Sequence, residues 1–133
     1  VALFVFMGAA FVGVVTQGGD GYGAAQAFKA AGRDTPLIVL GNRQDELKWW
    51  SEQHEANGYE TMSLSIAPGV ASLAFWVAQQ VLDGADVPKD LTVPFLKITQ
   101  DNLAEALETT PEGSVANVTY TLDDAKTVIS DAK

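Results

Sequence analysis

A short apolar run, Phe11-Val12-Gly13-Val14-Val15, feeds directly into the polar, glycine-rich stretch Thr16-Gln17-Gly18-Gly19-Asp20-Gly21-Tyr22-Gly23. That stretch opens onto the alanine-rich segment 24–32. Apolar runs of this length suit a strand buried on both faces. Glycines supply a tight turn, and the alanine-rich segment, stopped at Gly32, suits a helix. Strand, turn and helix in that order begin an α/β unit. In open α/β sheets, ligands bind just beyond the carboxyl ends of the strands, so residues 17–23 are a candidate ligand contact.

The same alternation continues. Pro36-Leu37-Ile38-Val39-Leu40 is another buried-strand run after the turn Gly32-Arg33-Asp34. Residues 44–57 read as a helix with Leu47, Trp50 and His54 near one face, closed by Asn57-Gly58. Residues 61–66 alternate, with Met62, Leu64 and Ile66 on one side, and read as the next strand. Ala67-Pro68-Gly69 breaks it, and Val70, Leu73, Val77 and Val81 then recur at helical spacing up to Asp83-Gly84. A strand at 91–99, interrupted by Pro94, is expected at an edge or crossing position. A short helix at 101–107, a loop at 109–115 and a last helix at 122–132 complete the pattern. Trp50 belongs in the core, Trp49 partly at the surface, and Trp76 in packing. The expected fold is α/β: a Rossmann-like three-layer sandwich whose mostly parallel sheet has right-handed crossovers and helices on both faces. Residues 1–133 form one lobe. Residues 1–15 are all apolar or glycine and read as a buried helix and strand. They fall short of the roughly 20 residues that span a bilayer and lack the basic start and cleavage site of a signal peptide.

Charge and composition exclude several functions. A formal charge of -9 repels nucleic acid and anionic membranes. With no cysteine there is no disulfide, no thiolate nucleophile and no thiolate metal site. His54, the only histidine, sits in mid-helix, no Gly-x-Ser-x-Gly elbow occurs, and no histidine pair exists to hold zinc. The chain is expected to be no enzyme and to need no cofactor or metal.

Three loops leave the carboxyl ends of the expected strands, at 17–23, 41–45 and 67–69. Side by side on one rim they would present amides, a carboxylate and a guanidinium, groups that pair with sugar or polyol hydroxyls. The candidate ligand contacts are Gln17, Gly19, Asp20, Tyr22, Asn42, Arg43 and Pro68. Each has a plainer use. Asp20 can cap the following helix, worth about 1 kcal/mol; the glycines can serve the turn alone; Asn42 can be a turn residue; Arg43 can pair with Asp45; Gln17 can bond its own loop. A dinucleotide-binding domain of the NADP type is the rival function, with its phosphates on the glycine loop and Asn42-Arg43 at a ribose 2′-phosphate. Against it, Ala24 stands where the third glycine of Gly-x-Gly-x-x-Gly would fall after Gly19 and Gly21, and Asp20 puts a negative charge at the pyrophosphate position. A half-domain built for protein contacts is a third reading.

The ordered series 11–20, 23–33, Leu37-Ile38-Val39-Leu40-Gly41-Asn42, Val81-Leu82-Asp83-Gly84-Ala85-Asp86-Val87-Pro88-Lys89 and Val93-Pro94-Phe95-Leu96-Lys97-Ile98-Thr99, followed by Gln100-Asp101-Asn102, resembles a known family. It is similar to the second lobe of ribose- and galactose-type sugar-binding proteins of bacterial ABC transporters, which share a fold with lac-repressor-like regulators. The likeness covers about 11–105; the tail at 106–133 reads as an extension. The resemblance implies a periplasmic, two-lobed, hinged receptor that closes on a sugar or polyol and delivers it to an inner-membrane permease. It implies an N-terminal companion lobe, a longer intact protein, and no nucleic acid partner. It places the lobe's ligand contacts at 17–20, at Asn42 and Arg43, and at Pro68. Three departures tell against ribose itself: Gly18 where asparagine or aspartate is common, Asn42-Arg43 where glycine-x-aspartate is common, and Pro68 where a side-chain amide is common.

Overall fold

The computed structural model describes residues 13–16 and 18–133. Strand β1 (Gly13–Val15) leads through the glycine loop into α1 (Gly21–Ala30), then β2 (Leu37–Val39), α2 (Gln44–Asn57), β3 (Ser63–Ser65) and α3 (Val70–Leu82). After α3 come β4 (Leu96–Ile98), a 3-10 turn (Gln100–Asn102), α4 (Leu103–Thr109) and α5 (Leu122–Asp131). β1 lies parallel to β2 with Val14 opposite Ile38. The sheet continues into β3 through the Leu40 amide, which donates to the Met62 carbonyl at 2.9 Å, and the Leu64 amide, which donates to the Leu40 carbonyl at 3.0 Å. β4 runs antiparallel to β3, with Ser63 opposite Ile98. The order is therefore β1-β2-β3-β4, parallel until the last strand.

Parallel neighbours share a facing, so Val14, Ile38 and Leu40 look to one side, joined there by Ile98 and Leu96. Ala25 of α1, Leu47 and Trp50 of α2, and Leu103, Ala106 and Leu107 of α4 pack on that side. Trp50 is fully buried and Trp49 half-buried, its ring meeting Tyr59 edge-on at 5.3 Å. Gly58 closes α2 in the left-handed conformation at φ 74°. A second cluster joins α3 to α5, where Leu73, Tyr120 and Ala125 are buried with Trp76 and Val77 against them.

Four expectations are corrected. The strand expected at 91–99 is confined to 96–98, because proline at 94 cannot donate to a ladder. The alternation at 61–66 is present, but Ser63 faces inward and is fully buried, while Met62, Leu64 and Ile66 are 40%, 42% and 50% exposed. The Ser63 hydroxyl donates to the Gly41 carbonyl at 2.6 Å, which makes a small polar residue the fitting one there. Val15 is 82% exposed rather than buried, and Val81, expected inside, is 54% exposed. The helix expected at 1–10, the start of the first strand at 11–12 and the candidate contact Gln17 lie outside the described residues.

Candidate functional site

The loops that follow β1 and β2 meet beside the end of β3. Gly18 and Gly19 both take positive φ, 109° and 83°, which only glycine adopts without strain. This turn lays the first loop against the second and against the end of β3. A Cβ on Gly18 would stand 3.7 Å from the Ser65 hydroxyl at the end of β3, and one on Gly19 would stand 2.9 Å from Arg43 Cδ. A Cβ on Gly41 would overlap the Gly19 amide nitrogen, so the first two loops touch backbone to backbone.

Asp20 occupies the N-cap position of α1, but its side chain makes no capping bond, contrary to the plainer reading of that residue. Glu46 takes the role instead. It projects from the first turn of α2, is fully buried, and its Oε1 accepts the Gly21 amide. Burial pushes its carboxyl above the usual range, against the pull of the Gly21, Arg43 and Tyr22 amides. Its other oxygen, Oε2, has no hydrogen-bond partner and lies 2.7 Å from the point a Gly41 Cβ would occupy. Glu46 therefore ties the first loop to the second. Sequence reasoning missed it, although Glu46 lies four residues before the core residue Trp50 and so shares its helix face. Asp20 is left exposed, with its carboxylate free of hydrogen bonds among the described residues.

Arg43 forms a two-pronged ion pair with Asp45, Nε to Oδ1 at 2.9 Å and a terminal nitrogen to Oδ2 at 3.0 Å. The guanidinium holds the Asp45 carboxyl below its ordinary range. Both side chains are nearly half exposed, so solvent competes with the pair. Asn42 is 7% exposed and its amide donates to the Ala116 carbonyl at 2.7 Å, while the Ala116 amide returns a bond to the Asn42 carbonyl at 2.8 Å. Pro68 is exposed, beside Gly69. Tyr22 is half-buried in the first turn of α1. It faces a groove of about 350 Å³ that it shares with Arg43, Asp45, Lys48, Trp49 and Glu112. Gly19 thus lies against Arg43 with Asp20 next in the first loop, Asn42 is buried against Ala116, Tyr22 lines the flanking groove, and Pro68 is exposed in the third loop.

Segment 114–120, expected only as loop and tail, is the other feature that sequence reasoning missed. It crosses the rim as an extended strap. Val115 bridges Arg43 antiparallel, the Gln44 amide donates to the Ser114 carbonyl at 3.0 Å, and the Gly69 amide donates to Asn117 Oδ1 at 2.6 Å. The strap's sequence carries a short alternation, Ala116, Val118 and Tyr120 against Asn117 and Thr119, that was not read as an extended segment.

A solved ABC transporter solute binding protein from Thermobispora bispora is similar to this chain. It is 27% identical, superposes with a TM-score of 0.70, and the match covers 86% of this chain and 35% of that one. The chain has the fold of a solute-binding-protein lobe. It spans about a third of the length of the solved protein it matches. No protein-family model matches the chain, and no curated protein matches it. Among the described residues, no helix is long and apolar enough to cross a membrane.

The geometry also bears on a dinucleotide. A pyrophosphate at the start of α1 would need the amides that Glu46 already holds, and would meet the Glu46 and Asp20 carboxylates there. Asp45 offsets the Arg43 charge that a 2′-phosphate would need, while two of the five guanidinium donors are used in that pair.

Proposed function

We propose that this chain is one lobe of the solute-binding component of an ABC transporter, and that the solute is a sugar or polyol held against the rim loops. The observation that carries this reading is the meeting of the first two strand-end loops beside the end of β3, Gly19 against Arg43 and Gly18 against Ser65, in a chain with a solute-binding-protein fold. Asp20 accepts from solute hydroxyls and Arg43 donates to them, its pairing with Asp45 fixing the plane of the guanidinium. Pro68 belongs to the third loop, Tyr22 lines the flank, Asn42 carries the strap, and Gln17 is a further candidate contact by sequence. A companion lobe closes over the solute by hinge motion. The closed receptor, outside the inner membrane, hands the solute to a permease without chemical change.

The test is a thermal-shift panel on the two-lobed protein containing this chain. A bound ligand raises the melting temperature in proportion to the logarithm of its concentration over Kd. A sugar or polyol is expected to raise it and NADP to leave it unchanged. A rise with NADP and none with any sugar or polyol sinks the proposal.

A further inference from the structure

The strap ends its crossing at the third loop, and what it delivers there is a side-chain amide. Along 116–118 the chain alternates: Ala116 is buried, Asn117 exposed, and Val118 half-buried against the α3–α5 cluster. Asn117 does not swing freely. Its Oδ1 accepts the Gly69 amide at 2.6 Å, and because a backbone N–H can only donate, the oxygen must face Gly69. The Nδ2 group then points away from the loop with both hydrogens unspent among the described residues.

The position is enforced from several sides. A Cβ on residue 69 would collide with the Val118 carbonyl, so glycine at 69 is what admits the strap. Asn42 clamps Ala116 through both its backbone carbonyl and its side chain. Further along, the Tyr120 amide donates to the Ser72 hydroxyl at 3.0 Å, and that hydroxyl donates to the Gly69 carbonyl at 2.6 Å. An exposed amide is thus held in one orientation beside Pro68, a residue with no polar side chain.

We infer that Asn117 is a solute-contacting residue. It supplies, from the tail of the chain, the hydrogen-bond donor that the third loop lacks, and its ligand group is a hydroxyl or ring oxygen of a polyhydroxylated solute. The inference rests on the sugar-or-polyol reading above. A fixed donor loses little side-chain freedom on binding, so its bond adds to affinity more fully than that of a mobile side chain.

The experiment uses the two-lobed protein, with D-ribose, D-galactose, D-xylose and myo-inositol as probes. Two readouts are taken: the Asn117 side-chain NH₂ resonances in an ¹⁵N-asparagine-labelled sample, and probe affinity in Asn117→Asp. That variant keeps an oxygen for the Gly69 amide and removes the donor. A binding probe is expected to shift the Asn117 NH₂ signals, and Asn117→Asp is expected to lower its affinity about tenfold or more with the unliganded melting temperature preserved. A probe that binds wild type and variant equally, with the NH₂ signals unmoved, overturns this inference and leaves the sugar reading standing. Should the variant unfold, the wild-type NH₂ signals decide by the same criterion. Absence of binding by every sugar and polyol overturns both.

Discussion

Removing Glu46 separates two effects that the structure combines in one carboxyl: a hydrogen bond that holds the glycine loop, and a charge without water around it. Glu46→Ala leaves the buried Gly21 amide without its acceptor and opens a void against Gly41. An unsatisfied buried donor costs about 1–3 kcal/mol, or roughly 3–5 °C of melting temperature per kcal/mol for a chain of this size. Glu46→Gln keeps the acceptor and discards the charge. A carboxylate at a helix N-terminus gains about 0.3–1 kcal/mol from the dipole, but burial outweighs this, since the Glu46 carboxyl is pushed above its ordinary range. The folded state therefore holds the Glu46 proton more tightly than the unfolded chain does. Its contribution is most favourable in acid and declines as pH rises from the ordinary glutamate range through the raised value. Urea unfolding at a series of pH values should show Glu46→Ala destabilised throughout. Glu46→Gln should be close to wild type in acid and at least as stable at neutral pH, its advantage growing across that window. A Gln variant that loses as much as the Ala variant at neutral pH would refute the balance drawn here, since the buried charge itself would then be stabilising.

Other expectations follow from single contacts. Gly69→Ala forces the strap off the third loop; the Asn42–Ala116 and Gly69–Asn117 bonds should loosen together, seen as faster amide exchange at 114–118 with the α2 amides unchanged. Ile38→Ala empties a fully buried site in the main cluster and should cost about 2–5 kcal/mol in denaturant unfolding. Asp124, whose carboxyl is drawn below its ordinary range by hydrogen bonds from Thr121, supports the start of α5. That support is complete above the ordinary aspartate range and lost as pH falls through the lowered value, so helicity of α5 should fray in strong acid, and Thr121→Val, which removes the hydroxyl donor but keeps the amide, should weaken that dependence. Arg43→Ala should leave the urea midpoint unchanged, because both partners of its ion pair are solvated, while solute affinity falls.

Legibility in the sequence followed the reach of each interaction. α2 was readable over its whole length: Leu47 and Trp50 share a face and Gly58 supplies the stop, all within a few residues of one another. The approach of the glycine turn to the second loop was readable because glycine turns and strand ends are local: Gly19 lies against Arg43 and Gly18 against the end of β3. Glu46 was not, because a charge in the first turn of a helix ordinarily faces water; its burial depends on α1 lying alongside. The strap was not, because its partners Asn42 and Gly69 are 74 and 48 residues distant from the positions they bind, and the alternation at 116–120 is too short to say what the segment crosses. The facing of 61–66 was misjudged because hydropathy favoured Met62, Leu64 and Ile66, whereas Ser63 is drawn inward by the Gly41 carbonyl.

Amide hydrogen exchange on the two-lobed protein, with and without the sugar or polyol that raises its melting temperature most, is the most direct test of the rim as the solute site. Protection gained at 18–20, 42–43 and 67–69 is the outcome expected. Protection confined to the flank between α1 and α2, with those three loops exchanging as before, would contradict it.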